Sequence, residues 1–179
     1  VDNILMLSDN PDEKFIMAYS DKPDGLLHKY GTDSVEAADF IKETESKIEQ
    51  MCQKLSDDTI VIISADHGHK NIKNPHTILD YEDLQECFLM PPSLEARCLT
   101  FWIKNDMKKE FERRFNEKFE KEFWLMTKEE FLNKNFLGFG KKHRKVDEFL
   151  GDYIAISIGD SMINLETYLA PGKPLKKST

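Results

Sequence analysis

An uninterrupted apolar run, Thr-Ile-Val-Ile-Ile, leads into Ser-Ala-Asp-His-Gly-His at residues 59–69. A β-branched run of this kind predicts a strand buried on both faces, as in a parallel sheet. Asp66 and His67 would then stand at the carboxyl end of that strand, where α/β proteins place reactive groups. Their oxygen and nitrogen atoms suit Zn²⁺ or a similar cation, and Gly68 permits a sharp turn or a close ligand approach. A strand-terminal turn with a surface histidine is the alternative interpretation.

The preceding residues predict a second strand and a helix. Residues 14–20, with the sequence KFIMAYS, predict a strand that runs into a loop containing Pro and Gly. Asp33, with Glu36 three residues later, predicts a capping box at the start of a helix. Apolar residues at helical spacing then continue that helix to Leu55.

The order strand, helix, strand predicts a right-handed crossover between two parallel strands. The loops that follow the two strands then emerge from the same edge of the sheet. This edge would bring Asp24 and His28 close to Asp66 and His67. An Asp-x-x-x-His pair alone is also typical of a salt bridge across one helical turn. The two pairs together predict one site.

Composition restricts the class of partner. No apolar run approaches the roughly 20 residues that a membrane span needs, so we expect no membrane partner. The net charge of −8 argues against a nucleic acid polymer. It is compatible with a small phosphorylated substrate, because bound divalent cations would reverse the local charge. The 3 cysteines form neither a disulfide framework nor a metal knuckle, which favours a reducing, cytoplasmic location.

The remaining residues predict further elements of an α/β domain. Apolar residues recur at every fourth position from Met107 to Phe123, and the mixed charges between them favour core packing over base stacking. Thr127 and Glu130 predict a helix cap. The other predictions are a turn-rich lead-in at Val1–Asp12, strands at Arg97–Lys104 and Phe149–Gly159, and a flexible tail at 171–179. His69 and His76 lie in a predicted loop that could overhang the site. Reaching into the site is one interpretation of these histidines, and unligated loop histidines are the more common case.

Two segments carry a resemblance to a known family. Residues 15–31, which contain Pro-Asp-x-x-x-His, and residues 60–69, which contain Asp-His-Gly, resemble the alkaline phosphatase superfamily. The closer resemblance is to its type I phosphodiesterase/nucleotide pyrophosphatase branch. It implies an alkaline-phosphatase-like three-layer α/β sandwich with a mostly parallel sheet, present only in part. Residues 1–170 would be the C-terminal part of the catalytic domain.

The resemblance also implies a pair of divalent metal ions, zinc or manganese. Asp24 and His28 would bind one ion, and Asp66 and His67 would bind the other. The third histidine of the first ion would be His143 or a residue beyond the end of this sequence.

The resemblance implies metal-dependent hydrolysis of a phosphodiester or pyrophosphate bond. In the family a Thr or Ser nucleophile lies upstream of the first motif, and no comparable residue precedes Asp24 here. We therefore expect a fragment that is inactive alone. Alternatives are a phosphomonoesterase or phosphomutase of the same superfamily, or a non-catalytic module that binds metal or a partner.

Overall fold

A computed structural model describes residues 1–10, 12 and 14–165. The described residues divide into two compact units, which we call the first unit, Val1–Asn71, and the second unit, which begins at Ile72 and includes the described residues up to 165. The predicted tail at 171–179 lies outside the described residues. No helix among those residues is long and apolar enough to cross a membrane.

The first unit is helical where it is regular. Its helices are α1 (Asp2–Ser8), α2 (Asp24–Tyr30) and α3 (Val35–Cys52). The prediction of a turn-rich lead-in at Val1–Asp12 is therefore wrong, because α1 occupies most of this segment. The cap of α3 is displaced by one residue from the prediction: Ser34 Oγ accepts the Ala37 N–H at 3.2 Å, whereas the Asp33 carboxylate accepts a side-chain N–H of Asn71.

The two strands predicted for the first unit do not form. Residues 14–20 and 59–65 have no regular secondary structure, and their apolar side chains are exposed, 90% for Phe15 and 85% for Ile62. A strand exists only through its hydrogen-bonded partner. No described segment pairs with either stretch, so the predicted crossover between parallel strands is wrong for the described chain.

The second unit contains the sheets. Strands β2, β3, β5 and β4 form an antiparallel sheet in that order, and β1 pairs with β6 in parallel. The strands are β1 (Asn74–Thr77), β2 (Phe88–Glu95), β3 (Cys98–Ile103), β4 (Phe123–Thr127), β5 (Tyr153–Ser157) and β6 (Ser161–Asn164). The helices are α4 (Glu82–Gln85), α5 (Lys108–Phe119), α6 (Lys128–Asn133) and α7 (Val146–Phe149).

Helix α5 supplies much of the second unit's core. Phe111, Phe115 and Phe119 lie on one face and are buried, with consecutive ring centroids 5.6 and 5.0 Å apart. They pack against Phe101 of β3 and Phe123 of β4. The prediction that this aromatic stripe is core is confirmed.

Other local predictions in the second unit are also confirmed. Strand β3 lies within the predicted 97–104 segment, and β5 lies within 149–159. The Thr127 hydroxyl accepts the Glu130 N–H at 3.2 Å, and the Glu130 carboxylate accepts the Thr127 N–H at 2.8 Å, which completes the capping box of α6.

The protein is α/β, but its larger described sheet is antiparallel. Only β1 and β6 pair in parallel among the described residues, so the prediction of a mostly parallel sheet is wrong for this part of the chain. The reason is the connection between β2 and β3: Glu95 pairs with Cys98, which leaves two residues for the turn. So short a connection requires antiparallel strands.

Candidate metal centre

Helix α2 presents two of the predicted site residues on one turn. Asp24 is its first residue and His28 follows four positions later, which places both side chains on the same face. His28 Nε2 lies 3.3 Å from Asp24 Oδ1. Both side chains are about half exposed, 46% for His28 and 51% for Asp24.

His69 approaches the same carboxylate oxygen. Its Nε2 lies 2.9 Å from Asp24 Oδ1, and its side chain is only 9% exposed. The rings of His28 and His69 meet edge to face, with centroids 4.8 Å apart. One ligand atom from each of Asp24, His28 and His69 lies within 4.8 Å of the others.

The predicted pair Asp66 and His67 lies at the margin of this cluster. His67 Nε2 is 3.9 Å from Asp24 Oδ1 and also 3.9 Å from Asp66 Oδ2. The His67 ring lies 5.2 Å from that of His69. Asp66 is 82% exposed, and its Oδ1 accepts the His67 backbone N–H at 3.0 Å. The structure thus brings Asp24, His28 and His67 together and leaves Asp66 towards solvent.

Asn71 links the segment that carries His69 to the end of α2. Its Oδ1 accepts the Thr32 N–H at 2.9 Å, and its Nδ2 donates to Asp33 at 3.0 Å. Gly31 has a φ of 85°, and a Cβ there would lie 3.0 Å from Asn71 Oδ1. Glycine is therefore required at this turn both by its conformation and by its neighbour.

Open space surrounds the position that a Cβ would take at Gly68. Apart from its two chain neighbours, no described residue has an atom within 4 Å of that position, and the φ of Gly68 is outside the left-handed region. The backbone conformation therefore does not require glycine here, and a close ligand approach at Gly68 stays a prediction.

The donor set of the cluster fits a divalent transition metal. One carboxylate oxygen with several imidazole nitrogens is a typical ligand combination for Zn²⁺ and also suits Mn²⁺. Sequence interpretation expected Asp24 and His28 to lie together, as they do in the structure. It considered that His69 could reach the site but favoured an unligated loop histidine. A histidine two positions after a predicted ligand was the available signal.

The other two histidines belong to the second unit. His76 Nδ1 lies 2.9 Å from the Tyr81 hydroxyl oxygen, and its Nε2 lies 2.9 Å from a Glu122 carboxylate oxygen. His76 stands on β1 within this side-chain network, so the prediction that it lies in a loop is wrong. The exposed His143, the proposed third ligand, accepts the Lys145 N–H through Nδ1 at 3.2 Å.

Comparison with known proteins identifies the family. The family model for type I phosphodiesterase / nucleotide pyrophosphatase matches residues 1–134, which include the whole first unit with its cluster. No curated protein matches the chain significantly. The family consists of hydrolases that act on phosphoric esters. Because the match covers well over half of the sequence, the chain belongs to the type I phosphodiesterase/nucleotide pyrophosphatase family.

Proposed function

We propose that this chain carries the metal-binding part of a phosphoric ester hydrolase that cleaves a phosphodiester or pyrophosphate bond. The observation that best supports the proposal is the convergence of His28 and His69 on the Asp24 carboxylate, at 3.3 and 2.9 Å. These residues lie within the family match. Zn²⁺ is the proposed metal, with Mn²⁺ as the alternative.

The proposal retains two metal positions. Asp24 and His28 bind one cation, and Asp66 and His67 bind the other. Support for their proximity comes from His67, whose Nε2 is 3.9 Å from a carboxylate oxygen of each pair. Bound divalent cations would supply charge neutralisation to the phosphoryl group and its entering and leaving oxygens.

The charge of the chain limits the proposed substrate. With a net charge of −8, the chain needs bound cations to attract a phosphate. The paired carboxylates and imidazoles would hold those cations at one small location. We therefore propose a small phosphorylated substrate rather than a nucleic acid polymer.

We place the nucleophile outside these 179 residues. The serine hydroxyls that flank the motifs bond to nearby backbone: Ser8 donates to Ile4 O at 2.7 Å and Ser20 donates to Lys22 O at 3.1 Å. Ser64 likewise donates to Ala65 O at 3.4 Å. These local bonds offer no general base to activate a hydroxyl, as nucleophilic catalysis requires.

Hydrolysis of bis(4-nitrophenyl) phosphate tests the proposal. The 179-residue chain with Zn²⁺ or Mn²⁺ should not exceed the metal-only blank. The complete reading frame that contains it should turn over, lose activity in chelator, and lose it in the Asp24→Asn variant. Asp57→Asn, which changes an exposed turn carboxylate, is the matched control and should retain activity.

Three outcomes would revise the proposal. Clear activity of the 179-residue chain would mean that the nucleophile lies within it. Preference of the complete protein for 4-nitrophenyl phosphate would favour a phosphomonoesterase or phosphomutase. Inactivity on both esters, with metal bound, would favour a non-catalytic metal-binding module.

A further inference from the structure

We infer that His69 is the third protein ligand of the cation bound by Asp24 and His28, an inference that rests on the proposed metal-dependent function. The sequence resemblance assigned two ligands of this cation to the chain and sought a third at His143 or beyond Thr179. His69 lies in the first unit with the other two ligands, so the first unit alone supplies all three.

Burial distinguishes His69 from its neighbours. The side chain of His69 is 9% exposed, compared with 46% for His28 and 56% for His67. A buried imidazole needs a polar partner for its ring nitrogens, and Nε2 of His69 faces Asp24 Oδ1 at 2.9 Å. A surface loop histidine would not be held in this way.

The distances within the cluster are close to those of a coordination shell. Zn²⁺ binds imidazole nitrogen and carboxylate oxygen at about 2.0–2.2 Å, which separates the ligand atoms of a tetrahedral shell by about 3.3–3.6 Å. Asp24 Oδ1 lies 2.9 Å from His69 Nε2 and 3.3 Å from His28 Nε2. All three ligand atoms lie within 4.8 Å of one another, so only small side-chain movements are needed to surround one ion.

The backbone on both sides of the cluster is fixed by hydrogen bonds. Gly31 N donates to Leu27 O at 2.9 Å at the end of α2, and Asn71 bonds to Thr32 and Asp33 just beyond it. The segment that carries His69 is thereby anchored two residues after the histidine. This anchoring lowers the entropy cost of assembling the three ligands around an ion.

The proposed function assigns His67 to the other metal position. Its Nε2 lies equally far, 3.9 Å, from Asp24 Oδ1 and Asp66 Oδ2, and its Nδ1 contacts the Gly68 carbonyl at 3.1 Å. Without His67, the first cation has two imidazoles and one carboxylate. Three protein ligands leave a coordination position for solvent or substrate, as in catalytic zinc sites, whereas structural sites use four.

Counting imidazoles around bound zinc tests the assignment. A variant with Asp66→Ala and His67→Ala isolates the first position, and X-ray absorption at the zinc edge, with zinc below one equivalent, counts its histidines. We expect two imidazoles, and one after the additional change His69→Gln. Competition with a chromophoric chelator should show a loss in zinc affinity of at least about 100-fold for His69→Gln, exceeding the 10- to 100-fold typical of an outer-shell partner.

His143→Ala is the matched control, and its zinc affinity should equal that of its parent. A single imidazole in the isolated site before any change at His69 would overturn the inference, and so would an affinity loss below about 10-fold. Those results, with Asp24-dependent zinc binding intact, would leave the proposed function standing and make His69 a hydrogen-bond partner of Asp24. Absence of zinc binding in the unaltered chain would overturn both.

Discussion

The two units of this chain contrast in packing and in chemistry. The second unit has a core of buried aromatic and aliphatic side chains, with Phe101, Phe111 and Phe115 fully buried. In the first unit, Ala37 and Met51 are the buried hydrophobic residues among those described. Yet the first unit contains the four predicted metal ligands. The family's chemical motifs thus lie in the part of the chain with the least core.

This contrast separates two sources of structure. The second unit is held by apolar burial, which requires no ligand. In the first unit the most specific contacts are polar: three imidazoles around Asp24, and the hydrogen bonds of Asn71. We therefore expect substitutions of the same kind to have unequal effects in the two units.

Both tryptophans, Trp102 and Trp124, lie in the second unit, so their fluorescence reports its unfolding alone.

The largest effect is expected from one residue type placed in two environments. Phe115→Ala removes a ring that is 0% exposed and should lower the free energy of unfolding by about 3–5 kcal/mol. Phe15→Ala, at a ring that is 90% exposed, should change it by less than about 0.5 kcal/mol. Urea unfolding followed by tryptophan fluorescence measures the first, and amide exchange of the hydrogen-bonded α3 in the first unit measures the second. Equal effects would contradict the contrast between the units.

Two glycines, one in each unit, extend the comparison to the space that surrounds the backbone. A Cβ at Gly151 would lie 2.6 Å from the Phe101 carbonyl carbon, so Gly151→Ala should destabilise the second unit by about 1–3 kcal/mol. Apart from the chain neighbours of Gly68, no described residue has an atom within 4 Å of such a Cβ, so Gly68→Ala should stay within about 1 kcal/mol of the parent. Thermal unfolding of both variants provides the measurement. A larger loss at Gly68 would reveal a constraint that its surroundings do not explain.

Acid should weaken the second unit partly through Glu122. Its hydrogen bonds with His76 and Ser161 lower the pKa of this carboxyl below the ordinary 4.5. A lowered folded-state pKa gives stability that is present above pH 4.5 and lost as the pH falls through the folded value. Glu122→Gln should therefore be less stable by about 1 kcal/mol at neutral pH.

That deficit should shrink as the pH falls below 4.5, as measured by urea titrations at several pH values. Glu120→Gln, which changes an exposed neighbouring carboxyl, is the control and should follow the parent throughout. A deficit independent of pH would mean that the carboxylate charge is irrelevant to the network.

The smallest effects are expected at the helix caps. Thr127→Ala and Ser34→Ala each remove a hydroxyl that accepts a backbone N–H at 3.2 Å, a loss of about 1 kcal/mol. Thr127→Ala should lower the unfolding midpoint seen by tryptophan, because α6 carries the buried Phe131. Ser34→Ala should leave that midpoint unchanged and accelerate amide exchange at the start of α3. A tryptophan response to Ser34→Ala would show that the two units unfold together.

The sequence predicted the second unit better than the first because its signals there were local. The every-fourth aromatic spacing of α5 and the capping box of α6 depend on residues within a few positions of one another. The strand predicted at residues 59–63 does not form, because a strand depends on a hydrogen-bonded partner that the local sequence does not specify. The prediction that Asp33 caps α3 is wrong for a similar reason, because its carboxylate accepts a hydrogen bond from Asn71, 38 positions away.

The candidate site shows the same limit. The four motif residues were predicted to meet at one edge of a parallel sheet. The structure brings His28 and His67 within 3.9 Å of Asp24 without that sheet. The position of His69 two residues after a predicted ligand was a signal, but its burial and its contact with Asp24 were not predictable, because they depend on how residues 45 positions apart fold together.

The contact between Asp24 and His69 closes a loop of 45 positions around α3. A cation bound to both residues would act as a cross-link, removing conformations from the unfolded chain. A covalent link over such a loop is worth about 4 kcal/mol in the chain-entropy model. For a unit with so few buried side chains, that term is comparable to the rest of its stability. Folding of the first unit would therefore depend on cation concentration, through mass action.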